Sequence, residues 1–212
     1  MTYLKIINAV LTRLRESNVV SPGESAYSLL LGEVVKETKR EMENAWNWNS
    51  LRTTKTVTTA QGTSEYTITG SGKKPVTLDV YNTTVLIHVQ RTPSNVLKEQ
   101  ILTGSEGVPA KYYYEGVDSS GDTNVHFWAI PDGVYVINFE LVIPQTDPVD
   151  GGDDITMDEW PIILGSYAKA IAERGEDQGR TGGEAVANFR AALSDSIALD
   201  VNNTSGEDVW HV

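Results

Sequence analysis

Residues 134–143 read VYVINFELVI, a run in which two kinds of side chain alternate. Every second residue from Tyr135 to Ile143 is large and apolar, whereas the opposite face carries polar residues such as Asn138. A period of two is the pattern of a strand with one buried face. The turn signal Pro131-Asp132-Gly133 comes directly before it. This stretch therefore predicts a strand of a β-domain, entered through a tight turn.

The strand-like composition extends back to Leu51, where Thr, Val and Tyr replace the Glu and Lys of the preceding segment. Alternating and apolar stretches predict six to eight strands, with a turn at Gly62-Thr63 and a loop over residues 118–122. That number of strands is enough for a small barrel or sandwich. We expect an antiparallel β-barrel or sandwich over residues 51–145.

Two helical segments precede the β-domain. Apolar residues at three- and four-residue steps predict a helix over residues 3–16. Ser21-Pro22-Gly23-Glu24 has the residues of a capped helix start, and the second helix is expected to run to about Trp46. Lys39 is expected on its polar face. The predicted apolar stripe comprises Ala26, Leu29, Leu30, Val34, Thr38, Met42 and Ala45.

Two more helices follow the β-domain. Residues 144–157 are rich in Pro, Gly and acidic side chains, which predicts a linker. Asp158 as the cap and Gly175 as the end predict a helix over residues 159–174. Thr181-Gly182-Gly183-Glu184 resembles a capping box and predicts a last helix over residues 184–200.

Helices and strands are segregated along the chain, which is the pattern of an α+β protein. We predict a four-helix bundle made of the N- and C-terminal helix pairs, with the antiparallel β-barrel or sandwich inserted between them. The predicted segments are a helical hairpin at 1–50, the β-domain at 51–145, a linker and second hairpin at 146–200, and a C-terminal arm at 201–212.

The composition excludes several classes of site and protein. The 212 residues contain no cysteine, which excludes disulfides, thiolate metal sites and thiol catalysis. No apolar run approaches the roughly 18 residues of a membrane helix, and Lys5 interrupts the first apolar stretch, unlike a signal peptide. We expect a soluble protein of the cytosol.

The net charge of −12 is distributed unevenly along the chain. Residues 1–146 hold 13 Lys and Arg against 15 Asp and Glu, whereas residues 147–212 hold 4 against 14. An acidic surface repels the phosphate backbone, so tight binding of nucleic acid is not expected. Two interpretations stay open: the acidic excess serves solubility, or it forms a surface that DNA passes without adhering.

No motif in the sequence indicates catalysis or a bound metal. His88, His126 and His211 form neither an HxH nor an HExxH pair, and nucleophile-elbow and phosphate-loop motifs are absent. Residues 118–122 and 150–154 are acidic, but they lack the spacing of a calcium loop and are interpreted as a strand-connecting loop and a solvated linker. We expect no catalytic residue, no metal and no cofactor.

The aromatic residues are the remaining signal. Trp46 and Trp48 are expected to pack where the second helix meets the β-domain, and Trp160 at a helix start has the same interpretation. Trp210 differs because it stands on a polar tail, where it is either an anchor for a partner or a residue that docks on its own subunit. The run Tyr112–Tyr114 would form an aromatic platform if the β-domain binds a ligand.

Three segments resemble the adaptor proteins of tailed bacteriophages, of the tail-tubular-protein-A type. They are IINAVLTRLRE at 6–16, KREMENAWNW at 39–48 continued by LRTT at 51–54, and YAKAIAERGED at 167–177. These segments are packing and boundary segments, and the order and length of the elements match over nearly the whole chain.

The resemblance implies a structural function. Such adaptors form a ring, usually of twelve copies, below the portal of the DNA-filled head, and connect it to a downstream tail or nozzle protein. The genome passes through the central hole, and the ring contacts this DNA only in passing. No membrane is involved. The location would be the virion, after assembly in the host cytoplasm.

The resemblance and the charge together suggest two sets of site residues. The arms of such adaptors commonly reach the portal, so the apolar tip of the arm is a candidate partner-binding segment: Val209, Trp210, His211 and Val212. The candidate acidic residues of the passage or its rim are Asp147, Asp150, Asp153, Asp154, Glu176 and Asp177.

Other functions remain open from sequence alone. One is a carbohydrate- or protein-binding β-domain on a helical stalk. Another is a neck or tail-completion protein of a long-tailed phage, and a third is a hydrolase without a recognisable motif. The ring copy number, the tail morphology and the surface that lines the passage are not encoded in any motif.

Overall fold

The structure is a computed structural model that describes residues 1–102, 104–175 and 180–204, with the side chains of all of these except 99–102, 180–182 and 202–204. The described residues form two compact units. The helical unit contains Met1–Leu51 and the described residues from Pro144 onward, and the β unit contains Arg52–Ile143. The α+β class predicted from sequence is confirmed. Within the described residues, no helix combines the length and the apolarity that crossing a bilayer requires.

Five α-helices occur in the described residues. They are α1 (Tyr3–Arg13), α2 (Ala26–Ala45), α3 (Ser94–Leu102), α4 (Glu159–Arg174) and α5 (Arg180–Thr204). A 3₁₀ turn at Asn49–Leu51 follows α2. Helix α3 lies in the β unit, and the other four form the helical unit, where α4 packs against α1, α2 and α5. The bundle geometry predicted for these four helices stays a prediction.

Helix α4 has the ends that the sequence predicted. The Asp158 side chain accepts a hydrogen bond from the Trp160 backbone N–H at 3.1 Å, which caps the first turn. Gly175 ends the helix in the left-handed conformation, at φ 63°, which costs a glycine little. Asp158 and Gly175 therefore cap the two ends of α4, as the sequence pattern predicted.

The ends of α1 and α2 differ from the predicted ones. Helix α1 stops at Arg13, because Arg15 turns into the left-handed region at φ 60° and the N–H groups of Arg15 and Glu16 bond back to Thr12 and Leu11. Helix α2 begins at Ala26 and not near Ser21, since Ser25 is the cap.

The capping box of α2 joins Ser25 and Ser28. The Ser28 backbone N–H donates to Ser25 Oγ at 3.0 Å, and the Ser25 backbone N–H donates to Ser28 Oγ at 2.9 Å. Glu24, the expected capping partner, instead accepts a hydrogen bond from the Val20 N–H at 2.5 Å.

The predicted buried face of α2 is confirmed at Thr38 and Met42 but wrong at most other positions. The residues it buries are Ser28, Leu31, Gly32, Val35, Thr38, Lys39, Met42 and Glu43. Leu29 and Leu30, expected inside, are exposed, and Lys39, expected outside, is fully buried. The helix is rotated relative to the prediction because Lys39 and Glu43 enter the interior as an ion pair. Gly32 supports this rotation, since a Cβ there would lie 2.4 Å from the Tyr3 hydroxyl.

Helix α5 is longer than predicted at both ends. It starts at Arg180, before the expected capping box, and continues to Thr204 instead of ending near Asp200. The Asp200 carboxylate accepts hydrogen bonds from the Asn49 backbone N–H and from Trp46 Nε1. The residues 201–204 of the predicted arm are thus helical, and its remainder lies outside the described residues.

The described residues of the β unit contain ten strands, four of seven residues and five of only two or three. They are β1 (Arg52–Thr58), β2 (Glu65–Thr67), β3 (Val76–Asn82), β4 (Ile87–His88), β5 (Gln90–Arg91), β6 (Glu106–Gly107), β7 (Lys111–Val117), β8 (Thr123–Trp128), β9 (Ile130–Pro131) and β10 (Val136–Val142). They form one sheet in the order β1-β10-β3-β4, a second in the order β2-β8-β7-β5, and a β6-β9 pair.

The sheets depart from the predicted barrel. Most pairs are antiparallel, but β5–β7 and β6–β9 are parallel, and no described sheet closes on itself. The short helix α3 was not predicted; its Leu97 is fully buried. A barrel is therefore excluded for the described strands, whereas the antiparallel character of the two larger sheets is largely confirmed.

The core of the β unit draws on both four-stranded sheets. Ile137, Phe139 and Leu141 of β10 are fully buried, which confirms the alternation read from residues 134–143. They pack in one cluster with side chains from the second sheet, among them Val125 and Phe127 of β8. The apolar face of each sheet is thus covered by the other.

Candidate functional site

A buried ion network ties α2 to the segment that follows Pro144. Lys39 Nζ lies 2.9 Å from Glu43 Oε1 and donates to the Gln145 backbone oxygen at 2.6 Å. Glu43 Oε1 also accepts the Gln145 backbone N–H at 2.9 Å. A charge is stable in the interior only when partners replace its lost hydration. The network therefore fixes the start of the acidic segment against α2.

Asp147, the first of the predicted passage residues, belongs to this network. Its Oδ1 lies 3.3 Å from Lys39 Nζ, and its carboxylate also forms a bidentate contact with the Arg40 guanidinium. The hydrogen bonds from Arg40, aided by the charge of Lys39, hold the pKa of Asp147 below its ordinary value. Asp147 thus has its own cations, so its charge is largely neutralised within the chain.

Asp150, Asp153 and Asp154 form a turn of the same segment. The Asp153 carboxylate accepts the backbone N–H groups of Val149 at 2.7 Å and Asp150 at 2.8 Å, which lower the pKa of Asp153. The backbone of Asp154 pairs with Thr2. The side chains of Asp150 and Asp154 are exposed. The carboxylates of Asp150 and Asp154 are therefore exposed to solvent, whereas the carboxylate of Asp153 is hydrogen-bonded within the turn.

The other predicted site residues lie outside the described part of the chain. Glu176 and Asp177 fall between α4 and α5, and Val209, Trp210, His211 and Val212 follow α5. The structure therefore brings Asp147, Asp150, Asp153 and Asp154 together in one segment, and the other six stay predictions.

The two tryptophans at the end of α2 have different environments. Trp48 is 4 % exposed and its Nε1 donates to the Met42 backbone oxygen at 2.7 Å. Trp46, expected to be a packing residue, is 38 % exposed and donates to Asp200 at 3.1 Å. Trp48 is therefore the packing residue of this pair within the helical unit.

The tyrosine run does not form an aromatic platform. Tyr112 and Tyr114 point toward the core of the β unit, where their rings meet edge to face at 5.4 Å. Tyr113 faces the opposite side of β7 and stacks on His126 at 5.0 Å. Because consecutive strand residues alternate in direction, three adjacent tyrosines cannot present one flat surface. The predicted platform of a ligand-binding β-domain is thus absent at this run.

A cluster of titratable side chains lies around Tyr113. Glu115 contacts Lys98 and His126, the latter at 3.0 Å, and the Tyr113 hydroxyl donates to Glu115 at 3.1 Å. The bond from Lys98 lowers the pKa of Glu115, and burial raises the pKa of Tyr113 to about 12. The polar side chains of this cluster are bonded to one another, and the Lys98–Glu115 pair holds α3 against β7.

Across residues 1–102, 104–175 and 180–204, no three His, Asp or Glu side chains converge in a way that would hold a metal ion. His88 pairs with the exposed Asp79 on β3, and His126 pairs with Glu115. The network of Lys39 was not predicted from sequence, because Lys39 was expected on the polar face of α2. Trp160, expected to pack at the start of α4, is instead 51 % exposed.

Comparison with known proteins identifies the family. The model of the family described as SU10 adaptor protein matches residues 1–210. A search of curated proteins finds no match. Because the family match spans nearly the whole chain, the chain belongs to the SU10 adaptor protein family, a family of phage head–tail adaptors.

Proposed function

We propose that this member of the SU10 adaptor protein family is a subunit of a ring that joins the portal of the phage head to the tail and leaves a central passage for DNA. The observation that carries the proposal is the family match over residues 1–210. The family is one of structural adaptors of the virion and is not a known enzyme family. The ring would hold twelve copies and would bind a downstream tail or nozzle protein on its far side.

The charge distribution supports a passage that does not bind DNA. Residues 147–212 carry 14 acidic residues against 4 basic ones. Duplex DNA carries one phosphate charge per roughly 1.7 Å, so a basic collar would bind it strongly and an acidic one would repel it. Asp150 and Asp154 are exposed candidates for such a surface, together with Asp153, Glu176 and Asp177. Asp147 contributes less, because Lys39 and Arg40 neutralise it.

The C-terminal residues Val209, Trp210, His211 and Val212 are proposed to bind the portal. The support is their composition, since an apolar tip with one Trp follows a polar spacer. The subunits are proposed to be assembled into the virion in the host cytoplasm. Removing residues 205–212 should then leave the fold intact and weaken attachment to the portal.

Electron microscopy of the purified chain, alone and mixed with portal rings, tests the proposal. The expected result is a closed ring of the chain, in solution or captured on the portal. A chain that stays monomeric and leaves the portal bare would refute it.

A DNA-binding assay tests the passive passage separately. By fluorescence anisotropy at physiological salt, the wild-type chain should show no measurable affinity for duplex DNA. Reversal of Asp150 and Asp154 to Lys should create weak binding that disappears as salt is raised, because counterion release drives it. Reversal of Glu65 and Glu106 to Lys, both exposed in the β unit, adds the same charge and is the matched control. Tight DNA binding by the wild-type chain would overturn the passive passage.

A further inference from the structure

Helix α3 depends on its attachments to the rest of the β unit. It has nine residues, and a helix of this length is marginal in water without tertiary contacts. Of the side chains from Ser94 to Lys98, that of Leu97 is buried and the others are exposed. Lys98 forms an ion pair with Glu115 of β7. Among the described side chains, α3 is therefore attached to the sheet mainly through one apolar and one charged residue.

The sheet surface beneath α3 points away from the core of the β unit. Tyr113 of β7 lies on this surface and is nevertheless only 4 % exposed, with Lys98 Nζ 5.8 Å from the centre of its ring. Ser94, the first residue of α3, borders an open cleft of about 430 Å³ that Arg91 and Tyr113 also line. Detachment of α3 would therefore expose Tyr113 and Leu97 to solvent.

The carboxylate that holds α3 is shared by three donors. Glu115 accepts a hydrogen bond from Lys98 through Oε1, and its Oε2 lies 3.1 Å from the Tyr113 hydroxyl and 3.0 Å from His126 Nε2. The bond from Lys98 lowers the pKa of Glu115, so this carboxylate stays ionised well below neutral pH. Burial raises the pKa of Tyr113 to about 12, so its hydroxyl stays neutral. Imidazole is the side chain that changes its charge near neutral pH.

A second carboxylate faces the same imidazole. Glu65 of β2 lies opposite His126 of β8 in the sheet, and its Oε1 lies 3.8 Å from His126 Nε2. This distance is too long for a hydrogen bond but short enough for attraction between charges. Among the described side chains, the charged groups around the imidazole are thus Glu65, Glu115 and Lys98, and the imidazole stacks on the neutral Tyr113.

The charge of the imidazole changes the surroundings that Lys98 meets on the sheet. When His126 is neutral, the Lys98 ammonium approaches two carboxylates and no cation. When His126 is protonated, it offsets one of these two negative charges and competes with Lys98 for Glu115, so the attraction on Lys98 is weaker. A neutral imidazole that carries its proton on Nε2 already donates to Glu115, so protonation adds a repulsion without adding a bond to that carboxylate.

We propose that His126 is a proton-sensitive release for α3: protonation of its imidazole weakens the Lys98–Glu115 pair and loosens α3 from the sheet. The release lies within the β unit of a single chain, so it goes beyond the proposed function and does not depend on it. Acidification should open α3 more often and expose Tyr113, while the core between the two sheets stays closed.

Hydrogen exchange followed by mass spectrometry tests the release in the intact chain. Protection is the exchange rate of the same amides in the urea-unfolded chain divided by that in the folded chain, both at one pH. From about pH 7.5 to about pH 5.5, a range that spans the charge change of imidazole, the protection of the α3 amides should fall about threefold, the size expected for one screened charge pair. Amides of β10 should keep their protection, because β10 lies between two other strands.

Three variants separate the release from a general effect of pH. In His126→Gln, α3 should be equally protected at both pH values, since an amide acquires no charge. His126→Lys carries the charge at both pH values, so the protection of α3 should be about threefold below that of the neutral wild type throughout. His88→Gln is the matched control, because His88 is an exposed imidazole of the same unit that pairs with Asp79 instead. This control should respond to pH as the wild type does, and β10 protection reports that each variant is folded.

The variant Lys98→Met tests whether the ion pair transmits the effect. The protection of α3 should be lower than in the wild type and should no longer change with pH, because the cation that competes with His126 is gone. An undiminished pH response in this variant would overturn the release through Lys98. Equal or higher wild-type protection of α3 at the lower pH would overturn it as well, and so would a pH response that persists in His126→Gln.

Discussion

The two units of the chain bury different chemistry. The β unit has an apolar core in which Phe127, Phe139 and their neighbours interlock between two sheets. Both units also bury uncharged polar side chains: Ser28, Thr38, Ser166 and Ser196 in the helical unit, and Thr59, Ser71, Asn82 and Thr123 in the β unit. Among the described residues, only the helical unit buries charged side chains, those of Lys39 and Glu43. An apolar core is weakened by a cavity, whereas a buried polar network is weakened by the group left unpaired. The two units should therefore respond differently to substitution.

The largest expected effect is at the buried ion pair. Lys39→Met should lower the free energy of unfolding by about 3–5 kcal/mol, because it leaves the Glu43 carboxylate buried without its cation. A second substitution, Glu43→Gln, should recover more than half of the loss, since a neutral amide needs no cation. Urea denaturation of the three proteins measures this.

The β unit provides the comparison for that experiment. Phe139→Ala should cost about 3–5 kcal/mol through a cavity. No change in the charge of a neighbouring residue can restore the stability lost through this cavity. If Lys39→Met costs less than about 1 kcal/mol, the buried network does not stabilise the helical unit and the contrast between the units fails.

The tryptophans at the end of α2 test the packed part of the helical unit. Trp48→Ala should cost about 3–5 kcal/mol, because Trp48 is buried and its Nε1 is bonded to Met42. Trp46→Ala should cost clearly less, since its ring is partly in solvent and its one described bond goes to Asp200. Thermal melting ranks the two variants, and the reverse order would mean that Trp46 is the packing residue.

Two helical glycines give opposite predictions for the same substitution. Gly165→Ala should destabilise by about 1–3 kcal/mol, because its Cβ would lie 2.6 Å from Thr38 Cγ2 and 2.9 Å from the Phe189 ring. Gly183→Ala in α5 should stabilise by about 0.5–1 kcal/mol, since no atom of the described residues lies within 4 Å of the added Cβ and alanine is the better helix former. Equal effects in a denaturation experiment would argue against close packing of α2, α4 and α5.

The smallest expected effect concerns Asp147. Asp147→Asn should cost about 1 kcal/mol at pH 7, because the carboxylate is partly exposed and its ion pairs are screened by solvent. The pKa of Asp147 is lowered in the folded chain, so its contribution is present above the ordinary value of 3.8 and is lost as the pH falls through the lowered one. The stability difference between wild type and variant should therefore begin to narrow near pH 4 and should vanish once the pH lies below the lowered pKa. A difference that does not narrow as the pH falls below 4 would exclude an electrostatic origin.

The contrast between an apolar core and a buried ion pair also explains which parts of the fold could be predicted from sequence. Period-two alternation predicted the buried face of β10, and the capping chemistry of Asp158 and Gly175 predicted both ends of α4. Both patterns depend on local rules that packing did not override. In α2 the face was wrong, because a lysine that is buried with its partner looks like a surface residue in a hydropathy pattern.

The candidate sites could be predicted from the sequence only in part. The acidic residues 147–154 were predicted as one segment, but the cations that neutralise Asp147 come from α2, about a hundred residues earlier. Helix α3 was not predicted because it is a short helix within a strand-rich part of the sequence. The open groove between α4 and α5, lined by Trp160, Leu164 and Leu199, arises only when the two helices pack, so no spacing along the chain indicates it.

Restoration of tail attachment tests the central claim most directly. Phage particles made without this chain should accumulate as heads that carry a portal and no tail, and addition of the purified chain with tail proteins should restore tailed, infectious particles. The chain without residues 205–212, which should fold but attach weakly to the portal, should restore few. Normal tailed particles formed in the complete absence of the chain would contradict its function as the subunit that joins head and tail.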